Sequence, residues 1–211
     1  MLKLILHKGQ LTLLICLMGL STKLFSQSQL TLSVEGMDKS SLVTLSDVAE
    51  IIKTRFSVIK TEFFSSVDTA IQEQQILLTF SGWMPSAQQV DFLISARGQL
   101  EIYLEGDQHQ LLISQHSVDE AEGVISDGLP TLALRLNDLT AMRLSQQTTD
   151  AAGKWVELWW DGVLHNRLMV GGPMSKFLTL NVNSEQQAQL MAAVLIGGTL
   201  PADIRLTVVP Q

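Results

Sequence analysis

The 211-residue sequence predicts an α+β fold with mostly antiparallel sheets, on three observations. Runs that alternate apolar and polar residues are interleaved with runs of helical period. Polar capping boxes open the helical runs, and one aspartate–glycine pair between two alternating runs has the form of a tight hairpin turn. Hydrophobic residues make up 46% of the chain and charged residues 17%, which is enough apolar side chain for a packed core and too little charge for a disordered tail.

Taken in order, residues 30–35 alternate and stop at Gly36, as a strand does. Thr44 and Asp47 stand in a capping-box relation, with Val48, Ile51, Ile52 and Ile59 on one helical face. Residues 63–67 and 75–80 read as two strands, the latter closed by Ser81-Gly82. After Pro85, Ser86 and Gln89 box a second helix; Val90, Leu93 and Ile94 form its stripe, and Gly98 suits a left-handed cap. Residues 100–105 alternate as a fourth strand. Strand-helix-strand-strand-helix-strand is the ferredoxin-like order.

The second half repeats that order loosely. Residues 131–136 read as a strand, and Asn137 or Asp138 caps a helix to about residue 147. Residues 155–160 and 163–170 form a hairpin around Asp161-Gly162, where both turn positions need positive φ. Residues 177–182 are a strand. Ser184 and Gln187 open a helix that stops at Gly197-Gly198, and residues 204–209 close the chain as a strand. The reading gives two ferredoxin-like or α-β sandwich subdomains, residues 29–106 and 107–199, with residues 200–211 a C-terminal strand free to return to the first.

Residues 1–26 read as an export signal: Lys3 and Lys8 precede an apolar run over residues 11–20, and small polar residues follow to Ser26. The run is short against the roughly 20 residues of a spanning helix. Cleavage near Ser26 places the mature chain in the periplasm; an uncleaved anchor in the cytoplasmic membrane and a buried N-terminal helix are the alternatives. Cys16, the only cysteine, follows the bulky Ile15, which argues against a lipid-attachment signal. Loss of Lys3, Lys8 and Lys23 takes 14 basic residues to 11 against 21 acidic ones, and the formal charge from −7 to −10. Such a chain has no electrostatic footprint for nucleic acid or for an anionic lipid surface.

No reaction chemistry is expected. His109 and His116 have poor metal-ligand spacing. His165, near Asp161 and Glu157, lacks the pocket and orienting partner of a general base. Asp119, Glu120 and Glu122 read as a solvated loop or helix start, and Gly171-Gly172-Pro173 as a turn. No phosphate loop or nucleophile elbow occurs, so no cofactor, nucleotide or metal is expected. The tryptophans are more informative. A two-residue turn puts Val156, Leu158 and Trp160 on one face with Val163, His165 and Arg167. It puts Trp155, Glu157 and Trp159 on the other with Leu164, Asn166 and Leu168. Only one face of such a sheet is normally covered, and Trp155 and Trp159 are the expected exposed pair. With Leu164 and Leu168 they form a candidate polypeptide-binding surface; cover by a neighbouring subdomain is the alternative.

A succession of motifs in the second half resembles the head subdomain of the first periplasmic region of SecD, the export subunit that works with SecF. Thr148 or Thr149 precedes Gly153-Lys154; a strand ends in Asp161-Gly162; a helix opens on Ser184-Glu185-Gln186-Gln187-Ala188; and the exit is Gly198-Thr199-Leu200-Pro201. In the first half, Ile51-Ile52-Lys53-Thr54-Arg55-Phe56 and Ala96-Arg97-Gly98-Gln99-Leu100-Glu101 resemble segments of that region's base subdomain. The likeness runs over residues 30–209. It implies a base-plus-head fold and marks Gly153, Asp161, Gly162, Gly198, Leu200 and Pro201 as structural motif positions. The family usually has a proline after the aspartate–glycine turn, where this chain has Leu164-His165-Asn166-Arg167. The family's membrane spans, which carry its proton-coupled cycle, have no counterpart here. The resemblance therefore implies a stand-alone, non-enzymatic export accessory that binds unfolded or emerging polypeptide. The alternative is a structural module with one fixed partner in an envelope complex.

Overall fold

The computed structural model describes residues 27–37, 43–59, 65–106 and 109–210; the expected export signal lies outside them. The chain forms β1 (Gln27–Glu35), α1 (Leu45–Val58), β2 (Ser66–Gln72), β3 (Gln75–Ser81), α2 (Ala87–Ser95), β4 (Leu100–Leu104) and β5 (Gln110–Ser114). A single 3-10 turn at Gln115–Ser117 leads into β6 (Val118–Ser126), β7 (Leu129–Leu136), α3 (Asp138–Thr148), β8 (Trp155–Trp160), β9 (Val163–Met169), β10 (Phe177–Asn181), α4 (Glu185–Gly197) and β11 (Arg205–Val208). The fold is α+β, and every strand pairing among the described residues is antiparallel.

Local chemistry accounts for the helix starts. Thr44 and Asp47 close a reciprocal capping box on α1, and Ser86 and Gln89 do so on α2. Asn137 accepts from the Thr140 N–H at the start of α3. Ser184 accepts from the Gln187 N–H, while the Gln187 side chain reaches past it to the Asn183 N–H.

The first sheet has the order β11-β1-β3-β2, the ferredoxin-like arrangement. Its outer place beside β1 is filled by β11, not by β4, the strand that follows α2. The reason lies where α2 ends. Gly98 turns the chain at φ +85°. Both carboxylate oxygens of Asp161 accept backbone N–H groups there, from Arg97 at 2.9 Å and from Gln99 at 2.8 Å. β4 is thus pinned to the β8–β9 turn and enters a second sheet, β5-β4-β8-β9. The vacant edge receives β11, in register Leu32↔Val208 and Val34↔Leu206.

A third sheet, β10-β7-β6, lies under α4 as a two-layer sandwich. The acidic stretch with Asp119, Glu120 and Glu122 is not a loop or helix start but part of β6, where Arg135 on β7 pairs with Glu120 and Asp119. Gly123 is required at this crossing, because a Cβ there would sit 2.3 Å from the Gln189 nitrogen of α4.

Helix α4 also packs along α1, and Arg55 marks the junction. It is fully buried, yet among the described residues no carboxylate forms an ion pair with it. Its guanidinium donates to the carbonyls of Leu93 (2.7 Å), Ala96 (2.6 Å), Arg97 (3.2 Å) and Gly198 (2.5 Å). These lie at the C-terminal ends of α2 and α4, where a cation offsets the helix dipoles and satisfies terminal carbonyls. Burial lowers its pKa to about 10, against the opposing pull of the Asp161 charge, so it remains a cation at neutral pH.

Candidate functional site

The strand β8 supplies both faces of the second sheet. Val156, Leu158 and Trp160 point inward, each about 5% exposed or less, beside Leu100, Ile102 and Leu104 of β4. Trp155, Glu157 and Trp159 point outward. Trp155 is 44% exposed and Trp159 half-buried.

The hairpin turn has φ +49° at Asp161 and +78° at Gly162, as a two-residue turn between twisted strands demands. Two residues past the turn the register slips: Trp159 faces Leu164, but Leu158 faces Asn166 and Val156 faces Leu168. The extra residue, His165, is a bulge. Leu168 therefore does not join Trp155 and Trp159 as the alternation implied; it lies on the opposite face, opposite Val156. Its place is taken by Met169, which pairs with Trp155 and is 63% exposed. The outward face thus carries Trp159 with Leu164 at the turn end and Trp155 with Met169 at the other.

A charged cluster separates these two apolar pairs. Glu157 is buried, and its Oε1 accepts from Arg167 Nε at 3.0 Å and Nη2 at 2.7 Å. Its Oε2 accepts from the Trp159 indole at 3.2 Å and lies 3.0 Å from His109 Nε2. Arg167 also bonds Glu105 at 2.7 Å, and the His109 ring stacks on Tyr103. Burial alone would raise the Glu157 pKa. The bonds from Arg167 and Trp159 and the charges of Arg167 and His109 outweigh it and hold the carboxyl below its ordinary range. The histidine that meets Glu157 is His109, not His165. Sequence reasoning weighed His109 only as a metal ligand, because its contact with a distant strand leaves no spacing signal, and put Arg167 on the inward face, from which the bulge at His165 turns it outward beside Glu157.

The motif positions serve the scaffold. Gly153 has φ +82° and donates to the Val170 carbonyl at 2.8 Å at the base of the hairpin. Gly198, at φ +97°, caps α4; Leu200 is buried and donates to the Arg97 carbonyl at 2.9 Å. Pro201 accepts from the Ile204 N–H on the way to β11. Asp161, Gly198 and Leu200 thus meet the same segment at the end of α2 that Arg55 holds. Of the two threonines before Gly153, Thr148 is the buried one, donating to the Leu144 carbonyl and accepting from the Met174 N–H.

Among the described residues no group of three or more histidine, cysteine, aspartate or glutamate side chains is placed to hold a metal ion. No helix among them is long and apolar enough to cross a membrane.

No family model matches the chain, and no curated protein matches it by sequence. Solved structures match it in fold. The crystal structure of SecDF in a super-membrane-facing form aligns with a TM-score of 0.66 at 15% identity, over 87% of this chain and 30% of that chain. A second structure, described as that of "a membrane component SecDF that enhances protein export", gives 0.63 at 15% identity, over 87% of this chain and 100% of that one. This chain thus spans under a third of the longer SecDF chain. At such identity the likeness is one of fold.

Proposed function

We propose that this chain acts outside the cytoplasmic membrane as a SecD-like accessory of protein export, holding unfolded or emerging polypeptide on the outward face of β8 and β9. It does so without nucleotide, metal or enzymatic chemistry. The observation that carries the reading is the exposure of Trp155, Leu164 and Met169, with Trp159 half-buried beside them, on one face of the hairpin. Burial of such surface yields about 25 cal/mol per Å² before ordering costs, which favours weak, sequence-tolerant and reversible binding. The fold shared with SecDF supports export as the setting.

Photo-crosslinking in cells from position 155 or 159 tests this. Heterogeneous adducts with many exported chains are expected. One stoichiometric adduct would instead identify a structural module with a fixed envelope partner.

A further inference from the structure

Among the described residues, the first sheet ends at β11 with no strand beyond it. β11 pairs with β1 on one side only. The Val209 N–H donates to the Thr31 carbonyl at 2.9 Å. By the alternation of an antiparallel ladder, the N–H and C=O groups of Leu206 and Val208 then point away from β1, where no described residue pairs with them. Directly beside this edge a groove of about 620 Å³ opens between β11 and α2. Leu30, Val90, Ile94, Leu206 and Val208 line it, with Met84 and Pro85 at one end. Apart from Asp91, its lining carries no charge. The opposite edge differs: β2 is covered by α1, and most of its side chains are polar.

The helical layer therefore reaches past the strand layer at β11. We infer that β11 and the groove under α2 form a strand-addition site for an extended polypeptide segment with apolar residues at alternate positions. A row of open backbone donors and acceptors is complementary to another extended backbone, and the adjoining groove takes the side chains on one face of that strand. The occupant is an unfolded segment and not the edge of a folded domain. A folded edge strand has its inward side chains already covered by its own core and has none to place under α2. Asp91 at the rim favours a lysine or arginine next to the apolar run. The inference rests on the preceding reading only for the origin of the segment, since hairpin and groove are separate surfaces.

The test uses the purified chain and two fluorescein-labelled nine-residue peptides. One alternates valine and threonine between terminal lysines; the other replaces its threonines with proline, which cannot donate to a ladder. The alternating peptide is expected to bind saturably and the proline peptide about tenfold more weakly or not at all. Val208→Pro removes an outward N–H while sparing the bonds to β1, and Ala87→Phe, at a position on α2 that also lines the groove, fills part of it. Each should weaken binding about tenfold, while Val163→Ser, on the face of the hairpin opposite Trp155, leaves it unchanged and crosslinking from position 159 persists in both groove variants. Equal binding of the two peptides, or full binding by both groove variants, overturns the inference. So does a dimer in sedimentation that Val208→Pro dissociates, because a second copy would then own the edge. Peptide binding lost only in Trp155→Ala overturns the inference and leaves the hairpin reading standing. Edge binding without any crosslinks from positions 155 and 159 supports the inference and removes the hairpin reading.

Discussion

Arg55 holds the molecule together at the residue scale. A buried cation is costly unless paired, and this one is neutralised by no contacting carboxylate among the described residues. It is held by four carbonyls from two helix ends, and its Nε has no partner among the described residues. Arg55→Met leaves those carbonyls unsatisfied and should cost about 3 kcal/mol or more in denaturant melts, an unchanged midpoint contradicting the role. Because burial depresses a basic group, its cost is constant below pH 10 and eases only above it, so this junction adds no pH dependence near neutrality. Gly162 is a cleaner case. A Cβ there meets nothing within 4 Å, so the demand is purely one of positive φ. Gly162→Val should lower stability by about 1–2 kcal/mol through the backbone alone, and unchanged melting would mean the turn is not as described.

At the scale of elements, Glu157 on β8 ties β9, through Arg167, to the segment before β5, through His109. Its carboxyl sits below the ordinary range, so its contribution to stability is full at neutral pH and is lost as pH falls from that range through the lowered value. Acid melts should therefore destabilise the natural chain more steeply than Glu157→Gln, and parallel curves would contradict the pairing. Gly123 governs another contact. Gly123→Ala forces β6 and α4 apart and should cost about 2 kcal/mol, read from thermal melts. Much at this scale was legible. The capping residues Thr44, Ser86, Asn137 and Ser184 announce their helices because a cap is a local bond. The Asp161-Gly162 turn is local in the same way. What alternation cannot specify is a partner: β4 and β11 both read as a strand that could close the first sheet, and only the distant grip of Asp161 on Arg97 and Gln99 decides. A bulge is likewise silent in sequence, so Leu168 was assigned to the wrong face and Met169 overlooked. β6 was hidden by its acidic side chains, which disfavour strands until Arg135 is placed opposite.

At the scale of the whole molecule, α1, the end of α4 and the β8–β9 turn meet at the end of α2, where Arg55, Asp161, Gly198 and Leu200 converge. This arrangement leaves two surfaces open on separate sheets: the aromatic face of the hairpin and the groove beside β11. Both suit a chain that is held by apolar contact and backbone bonds and then released.

The central claim is that the outward face of β8 and β9, and not the hairpin in general, binds unfolded polypeptide. It is tested most directly by measuring, through fluorescence anisotropy, the affinity of a reduced and alkylated secretory protein for two variants. Trp155→Ser with Met169→Ser alters the outward face, and Val163→Ser removes an equally exposed apolar side chain from the other. The double variant should bind about tenfold more weakly or worse while Val163→Ser binds as the natural chain does; equal affinities for all three would contradict it.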